Sequence, residues 1–239
     1  MSVAVFVACV LTFLIGGIPF GFLVGRYVLK DDIRRHGSGN IGATNVARVI
    51  GWKWGGLVLF LDALKGAIPA AIAAWYAMEF EPSLRNHLPV AAGMAAIIGH
   101  MYPIYLRLRG GKGVATALGV VVVVAPGAVG IALAVFILIA GITRIVALAS
   151  MLAALAFGIS QFLLLGAAWS ESDNLSLSSF AAAIPVLIIW RHRSNIVRMV
   201  KGTELQVTQS TAPEADAPSA TGQPVAGEQS AIPEPDSSS

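Results

Sequence analysis

Apolar runs long enough to cross a bilayer follow one another along most of the chain, and this leaves few folds open. Val3–Gly25, Trp54–Met78, Val90–Leu106, Ile145–Ala168 and Ser178–Trp190 each read as a membrane span. In hydrocarbon every backbone N–H and C=O must be satisfied within the protein, so such segments become helices. Only 12% of residues are charged, against about 25% in a soluble globular domain. The expected fold is therefore an all-α, polytopic membrane helical bundle. Ser178–Trp190 is short and calls for local bilayer thinning. No basic region precedes Val3, and Gly17, Gly21 and Gly25 suit a packing face better than a cleavage site, so the first run reads as a retained span.

A further apolar run, Val114–Ala140, is interrupted by Pro126-Gly127. Proline removes a helical donor and clashes with the preceding turn, so a reversal or hard kink is expected there. Each half would hold about 12 residues, roughly 18 Å of helix, as a pair of short spans or a re-entrant pair. Positive charge sets the orientation. Arg26, Lys30, Arg34 and Arg35 follow the first span, which places its C-terminal end in the cytoplasm. Only a reversal at Pro126-Gly127 then puts Arg144 and the segment after Trp190 on that same side. Seven membrane segments result, N-terminus outside and C-terminus inside, with all Lys and Arg cytoplasmic except Arg85 and the intramembrane Lys65.

Residues 1–204 thus form one membrane-embedded domain. After Glu204 the chain carries Glu214, Asp216, Glu228, Glu234 and Asp236, no Lys or Arg, and much Pro, Ala, Ser and Thr. Such a composition buries too little to fold, so 205–239 reads as a disordered acidic tail. The single cysteine, Cys9, lies in the first span and reads as a small buried hydrophobe; a disulfide framework is excluded.

Three polar stretches interrupt the apolar chain, each joining flexible backbone or hydrogen-bonding side chains to fixed positive charge. The first is Gly37-Ser38-Gly39-Asn40-Ile41-Gly42-Ala43-Thr44-Asn45, with Arg48 shortly after. It is able to open a helix whose first N–H groups face an anion. The second is Gly110-Gly111-Lys112-Gly113, leading into Thr116. Its spacing does not make a P-loop, so nucleotide hydrolysis is unsupported, but a cationic glycine turn suits a phosphoryl group. The third runs from Arg191-His192-Arg193-Ser194-Asn195 through Arg198 to Glu204, with apolar Ile196, Met199 and Val200 at helical spacing, and reads as an interfacial helix. Two arginines flank His192 and disfavour its protonation, which suits a neutral imidazole accepting a proton near pH 7. Each stretch also has a plainer reading: a capped glycine loop, positive-inside anchoring, or a surface anchor helix.

Asp62 and Lys65 stand i, i+3 within the second span. Intramembrane charges are costly, so the two are expected to pair inside the bundle in a structural role. His100, in the third span, is placed either to reach the site or to cap a buried carbonyl, and the cap is the favoured reading. There is no His-x-x-x-x-Asp element, no Gly-x-Ser-x-Gly elbow and no paired-Asp motif of the kind that binds magnesium; no metal, cofactor or nucleic acid is implied.

These elements, taken in order, closely resemble the acyl-phosphate-dependent glycerol-3-phosphate acyltransferases of bacterial membranes. The resemblance runs from Val3 to about Glu204. It rests on Gly37–Arg48, Asp62-x-x-Lys65-Gly66, Gly99-His100, Gly110–Thr116 and His192-Arg-x-Asn-Ile-x-Arg198 with Gly202-x-Glu204. It implies transfer of a fatty acyl group from acyl phosphate to the sn-1 hydroxyl of glycerol 3-phosphate, giving lysophosphatidic acid and phosphate in phospholipid synthesis. The setting it implies is the bacterial inner membrane, with the site on the cytoplasmic face. Functional coupling is implied to the enzyme that makes acyl phosphate from acyl carrier protein. On this reading Ser38, Asn40, Asn45 and Arg48 hold glycerol 3-phosphate, while Gly110, Gly111, Lys112, Gly113 and Thr116 hold acyl phosphate. Ser38, Lys112, His192 and Asn195 act in catalysis, and Asp62, Lys65, His100, Arg198 and Glu204 support the site. A small transporter of a phosphorylated solute is the alternative, but it calls for polar residues along a transmembrane path rather than clustered at one face.

Overall fold

The computed structural model describes residues 3–207; the tail beyond lies outside the described residues. Ten α-helices follow one another: α1 (Val3–Gly16), α2 (Phe20–Val28), α3 (Ala43–Ile50), α4 (Trp52–Phe80), α5 (Leu88–Met101), α6 (Val114–Val124), α7 (Pro126–Thr143), α8 (Val146–Leu165), α9 (Leu175–Arg191) and α10 (Arg193–Val200). No strand occurs among the described residues. Six segments are long and apolar enough to span a membrane: Val5–Val28, Trp52–Phe80, Leu88–Leu106, Pro126–Thr143, Val146–Ser170 and Ser172–Arg191. With the shorter apolar Val114–Val124, the seven expected segments are present.

Two of them differ in detail from expectation. The first span is two helices, because Gly17-Ile18-Pro19 interrupts it. Pro19 has no N–H to continue the ladder, and at the break the Ile18 carbonyl accepts from Phe20 N at 3.2 Å. The ammonium of Lys65 supplies a second donor, Nζ lying 2.7 Å from Ile18 O. The run after Val114 does not divide into equal halves either. It breaks at Ala125, and the chain then continues to Thr143 as an 18-residue helix, about 27 Å long and close to a full span. Only α6, with 11 residues, is short.

Small residues let the helices that carry the site approach closely. Helix α4 packs on α3, α5 and α6, and α7 packs on α8. At the α4–α6 crossing, a Cβ on Gly66 would strike the Thr116 carbonyl and one on Gly119 would strike that of Ala63. On α2, Gly21 and Gly25 let Ile41 and Ile33 pack against the helix. Ile33 and Ile41 join Val46, Val49, Val58 and Leu106 in a buried apolar cluster. That cluster seats the first polar stretch on the bundle.

Candidate active site

The three polar stretches meet at one end of the bundle, around a cavity of about 130 Å³. The first contributes Ser38, Asn40, Asn45 and Arg48, the second Lys112 and Gly113, and the third His192, Asn195 and Glu204. Asp62 and His100 reach it from α4 and α5.

Asn45 is the clip of the first stretch. Its Nδ2 donates to the carbonyls of Asn40 (2.8 Å), His36 (3.1 Å) and Ile33 (3.3 Å), and its Oδ1 accepts from Ser38 N at 2.7 Å. Its amide N–H groups are all taken by the loop, so toward the cavity it lines Asn45 offers only its oxygen. Asn40 Oδ1 accepts from Gly42 N at 2.8 Å, a local turn that leads into α3. The N–H groups of Ala43 and Thr44, the first of α3, line the cavity and make no hydrogen bond among the described residues.

Arg48 follows one turn later on α3. It is 9% exposed, and among the described residues its Nε has no hydrogen-bond partner. Nη2 donates to Gln206 O, at 3.5 Å. Burial lowers its pKa; Glu204 opposes that shift, and Arg198 adds to it. A buried guanidinium this poorly matched is arranged for an anion from outside.

The second stretch is built differently from the expected phosphate cradle. Gly110 N and Gly111 N donate to Met101 O (3.2 Å) and His100 O (3.1 Å), so neither amide is free for a ligand. Gly111 lies against the His100 ring; a Cβ there would overlap Nε2. Thr116 is fully buried between α6 and α4, its Oγ1 unpartnered, and does not line the cavity. The part that lines the cavity starts one residue later, at Lys112. Lys112 has no ion pair or hydrogen-bond partner among the described residues. Burial, reinforced by nearby arginines against the pull of Glu204, lowers its pKa to about 8. Gly113 turns into α6 with φ +83°, where a Cβ would also press on Met101 Cε at 2.6 Å. Val114 and Ala115 then line the cavity with their N–H groups unbonded. Two helix N-termini and two cations without a direct ion pair among the described residues therefore converge on one small space, with Glu204 at its edge.

In the third stretch His192 is 2% exposed. Its Nδ1 lies 2.7 Å from Ile188 O. A carbonyl only accepts, so Nδ1 carries the proton and, in the neutral ring, Nε2 is left as the acceptor. Burial, and then the charge of Lys112, pushes the pKa down to about 4. The neutral imidazole expected from sequence is there; burial and Lys112 are its main causes, and of the two flanking arginines Arg191 also lowers the pKa. Arg193 is exposed and lies over Trp190, 5.2 Å from the ring centroid. Asn195 Nδ2 donates to Glu204 Oε1 at 2.6 Å, while its buried Oδ1 has no partner. Arg198 Nε donates to Glu204 Oε2 at 2.7 Å. Glu204 thus braces the stretch, and Arg198 stands behind it, outside the cavity.

Beneath the cavity Lys65 Nζ lies 2.8 Å from Asp62 Oδ1, with His100 Nδ1 3.7 Å from the same oxygen. The expected Asp62–Lys65 pair is present, with Lys65 turned away toward Ile18.

Several lining residues carried no chemical signature in the sequence. Leu59, Phe136, Ser150, Val114 and Ala115 border both the polar cavity and an apolar one of about 330 Å³ between α6, α7, α8 and α9. Leu205 closes another side.

A family model described as glycerol-3-phosphate acyltransferase matches residues 6–202. A glycerol-3-phosphate acyltransferase of Myxococcus xanthus is 45% identical over 195 residues, covering 81% of this chain and 95% of that protein. One of Syntrophotalea carbinolica is 45% identical over 192 residues, 80% and 92% of the two chains. The crystal structure of PlsY (YgiH), an integral membrane glycerol 3-phosphate acyltransferase, in its glycerol 3-phosphate form superposes with a TM-score of 0.75. It is 37% identical, over 85% of this chain and 95% of that one. The lysophosphatidic acid form of the same protein gives a TM-score of 0.72. Sequence, fold and the meeting of the three polar stretches agree: this chain is an integral, multi-pass membrane protein that belongs to the glycerol-3-phosphate acyltransferase family.

Proposed function

We propose that the chain moves a fatty acyl group from acyl phosphate to the sn-1 hydroxyl of glycerol 3-phosphate, releasing lysophosphatidic acid and phosphate. The observation that carries this reading is the junction of the two cavities. A polar space with two unpaired cations, Arg48 and Lys112, opens past Leu59, Phe136 and Ser150 onto an apolar channel among membrane helices. Phosphate groups suit the first, and an acyl chain suits the second.

Ser38, Asn40, Arg48 and the first amides of α3 hold the glycerol phosphate group. Lys112 and the free N–H groups of Val114 and Ala115 hold the acyl phosphate. The attacking hydroxyl oxygen bonds to the acyl carbonyl carbon, the bond from that carbon to the phosphate oxygen breaks, and phosphate leaves against Lys112 and the α6 N-terminus. The hydroxyl proton passes to His192 Nε2 or to the substrate's own phosphate, with Asn195 beside it to orient the substrate. No covalent enzyme intermediate is required, because acyl phosphate is already activated. The domain spans residues 1–204 with 205–239 as an appended tail. The N-terminus is outside, the site faces the cytoplasm at the bacterial inner membrane, and the enzyme that makes acyl phosphate feeds it.

The test is acyl transfer by purified protein in detergent with radiolabelled glycerol 3-phosphate, comparing acyl phosphate and acyl-CoA without added metal. Product from acyl phosphate alone supports the assignment. Product from acyl-CoA overturns the donor and keeps the acceptor. No product from either, with folded protein, returns the transporter reading.

A further inference from the structure

Arg191 is the last residue of α9, and its side chain turns away from His192 toward the second polar stretch. Nε donates to Gly111 O at 3.1 Å, and Nη2 to Gly111 O at 2.7 Å and to Gly110 O at 3.0 Å. The guanidinium also lies against Tyr102, Cζ 5.1 Å from the ring centroid. A planar fork serves two adjacent carbonyls in a way that a single ammonium does not.

What these carbonyls do not do is as informative as what they do. Gly110 O and Gly111 O stand four residues before Val114 and Ala115, the positions from which a helix would take its first intrahelical bonds. If they accepted those N–H groups, α6 would start earlier and its leading amides would be saturated. Instead both carbonyls face Arg191, and the amides of Val114 and Ala115 are left unbonded where they line the cavity. The N–H groups of Gly110 and Gly111 are tied to Met101 O and His100 O, so the turn is held on both sides.

We propose that Arg191 is a positioning residue for the transfer: by drawing the Gly110 and Gly111 carbonyls away from α6, it keeps two amides and Lys112 available to the acyl phosphate. The inference rests on the acyl-phosphate assignment above. It also has an electrostatic side. The charged groups that act on Lys112 are Glu204, Arg198, Arg48 and Arg191, with neutral His192 adjacent, and Arg191 is one of those lowering its pKa.

The experiment uses the full-length protein, as wild type, R191Q, R191K and the exposed-site control R193Q. KM for each substrate and the pH dependence of kcat/KM for acyl phosphate are measured from pH 6 to 9, with thermal midpoints taken in parallel. In R191Q the KM for acyl phosphate rises about tenfold, the loss of one charge-assisted hydrogen bond, while that for glycerol 3-phosphate stays within about twofold. Its alkaline limb moves to higher pH, because a positive neighbour of Lys112 is gone. R191K shows the raised KM with the limb near its original place, and R193Q behaves as wild type. An unchanged KM for acyl phosphate in R191Q overturns the proposal. So does an equal rise in both KM values with an unmoved limb, which is general loosening, or full rescue by R191K, which makes charge alone responsible. If R191Q does not fold, R191K still decides between fork and charge. Wild-type enzyme inert with acyl phosphate sinks the donor assignment instead.

Discussion

His192 makes the state of the site measurable without substrate. Its imidazole is 2% exposed, donates from Nδ1 to Ile188 O, and has its pKa pushed down from 6.5 to about 4 by burial and by Lys112. In the unfolded chain the ring protonates near its ordinary value, while in the folded chain it resists until about two and a half units lower. Depression of a histidine's pKa on folding means stability is complete above pH 6.5 and declines as pH falls toward 4. Linkage over that interval gives a loss of about 2 kcal/mol at pH 5 and about 3 kcal/mol at pH 4. The perturbation is His192→Asn, whose amide keeps a donor for Ile188 O but does not titrate. Denaturant unfolding of both proteins in the same detergent, from pH 7.5 to 4.5, isolates the difference. All other titrating groups are common to the two, so the wild type should lose stability relative to the variant by that amount. Parallel curves would refute the buried neutral ring, and an activity limb near pH 6.5 traced to His192 would refute it independently.

Other expectations follow from the same geometry. Arg48→Ala should raise KM for glycerol 3-phosphate at least about tenfold, a charge-assisted hydrogen bond being worth about 1.5–3 kcal/mol; equal effects on both substrates would argue against separate subsites. Lys112→Ala should lower kcat/KM by about 10²–10³, and near-normal turnover would remove it from the chemistry. Gly111→Ala should cost about 1–3 kcal/mol of stability, because its methyl meets the buried His100 ring; steady-state kinetics with an unchanged melting midpoint would show that the turn yields freely. Asp62→Ala should destabilise more than the double replacement of Asp62 and Lys65 by apolar residues, because a lone buried charge is worse than none; detergent melting curves of the three proteins compare them.

Much of this site was legible because its chemistry is written in polar residues against an apolar background. Ser38, Asn40, Arg48, Lys112, His192, Asn195 and Glu204 stand out in such a chain, and helical parity requires their stretches to share one side. The apolar cavity was invisible for the converse reason: Phe136 on α7 and Leu59 on α4 differ in no chemical respect from lipid-facing neighbours. Breaks inside apolar runs were half legible. Pro126 announced one, but Pro19 passed unnoticed, since whether a proline stops or merely bends a helix depends on what satisfies the freed carbonyl. Pro69 sits inside the continuous α4. For Gly110-Gly111 composition pointed to flexibility and phosphate, whereas the structure uses the pair for close approach to His100 and as acceptors for Arg191. Residue type alone does not separate an amide kept free from one already bonded. Asn45 is a similar case: it lines the cavity, but its amide N–H groups are occupied by its own loop.

The bond from Lys65 to Ile18 O also bears on how the chain enters the bilayer. A lone charge at mid-membrane costs about 2.5–3.5 kcal/mol during insertion, but Asp62 and Lys65 stand one turn apart and can travel as a nearly neutral unit. Once there, Lys65 has a hydrogen left to give, and Ile18 O, which already accepts from Phe20 N, has a second lone pair to receive it. That bond gives the N-terminal segment a fixed register against α4 at Ile18, on faces that are otherwise apolar.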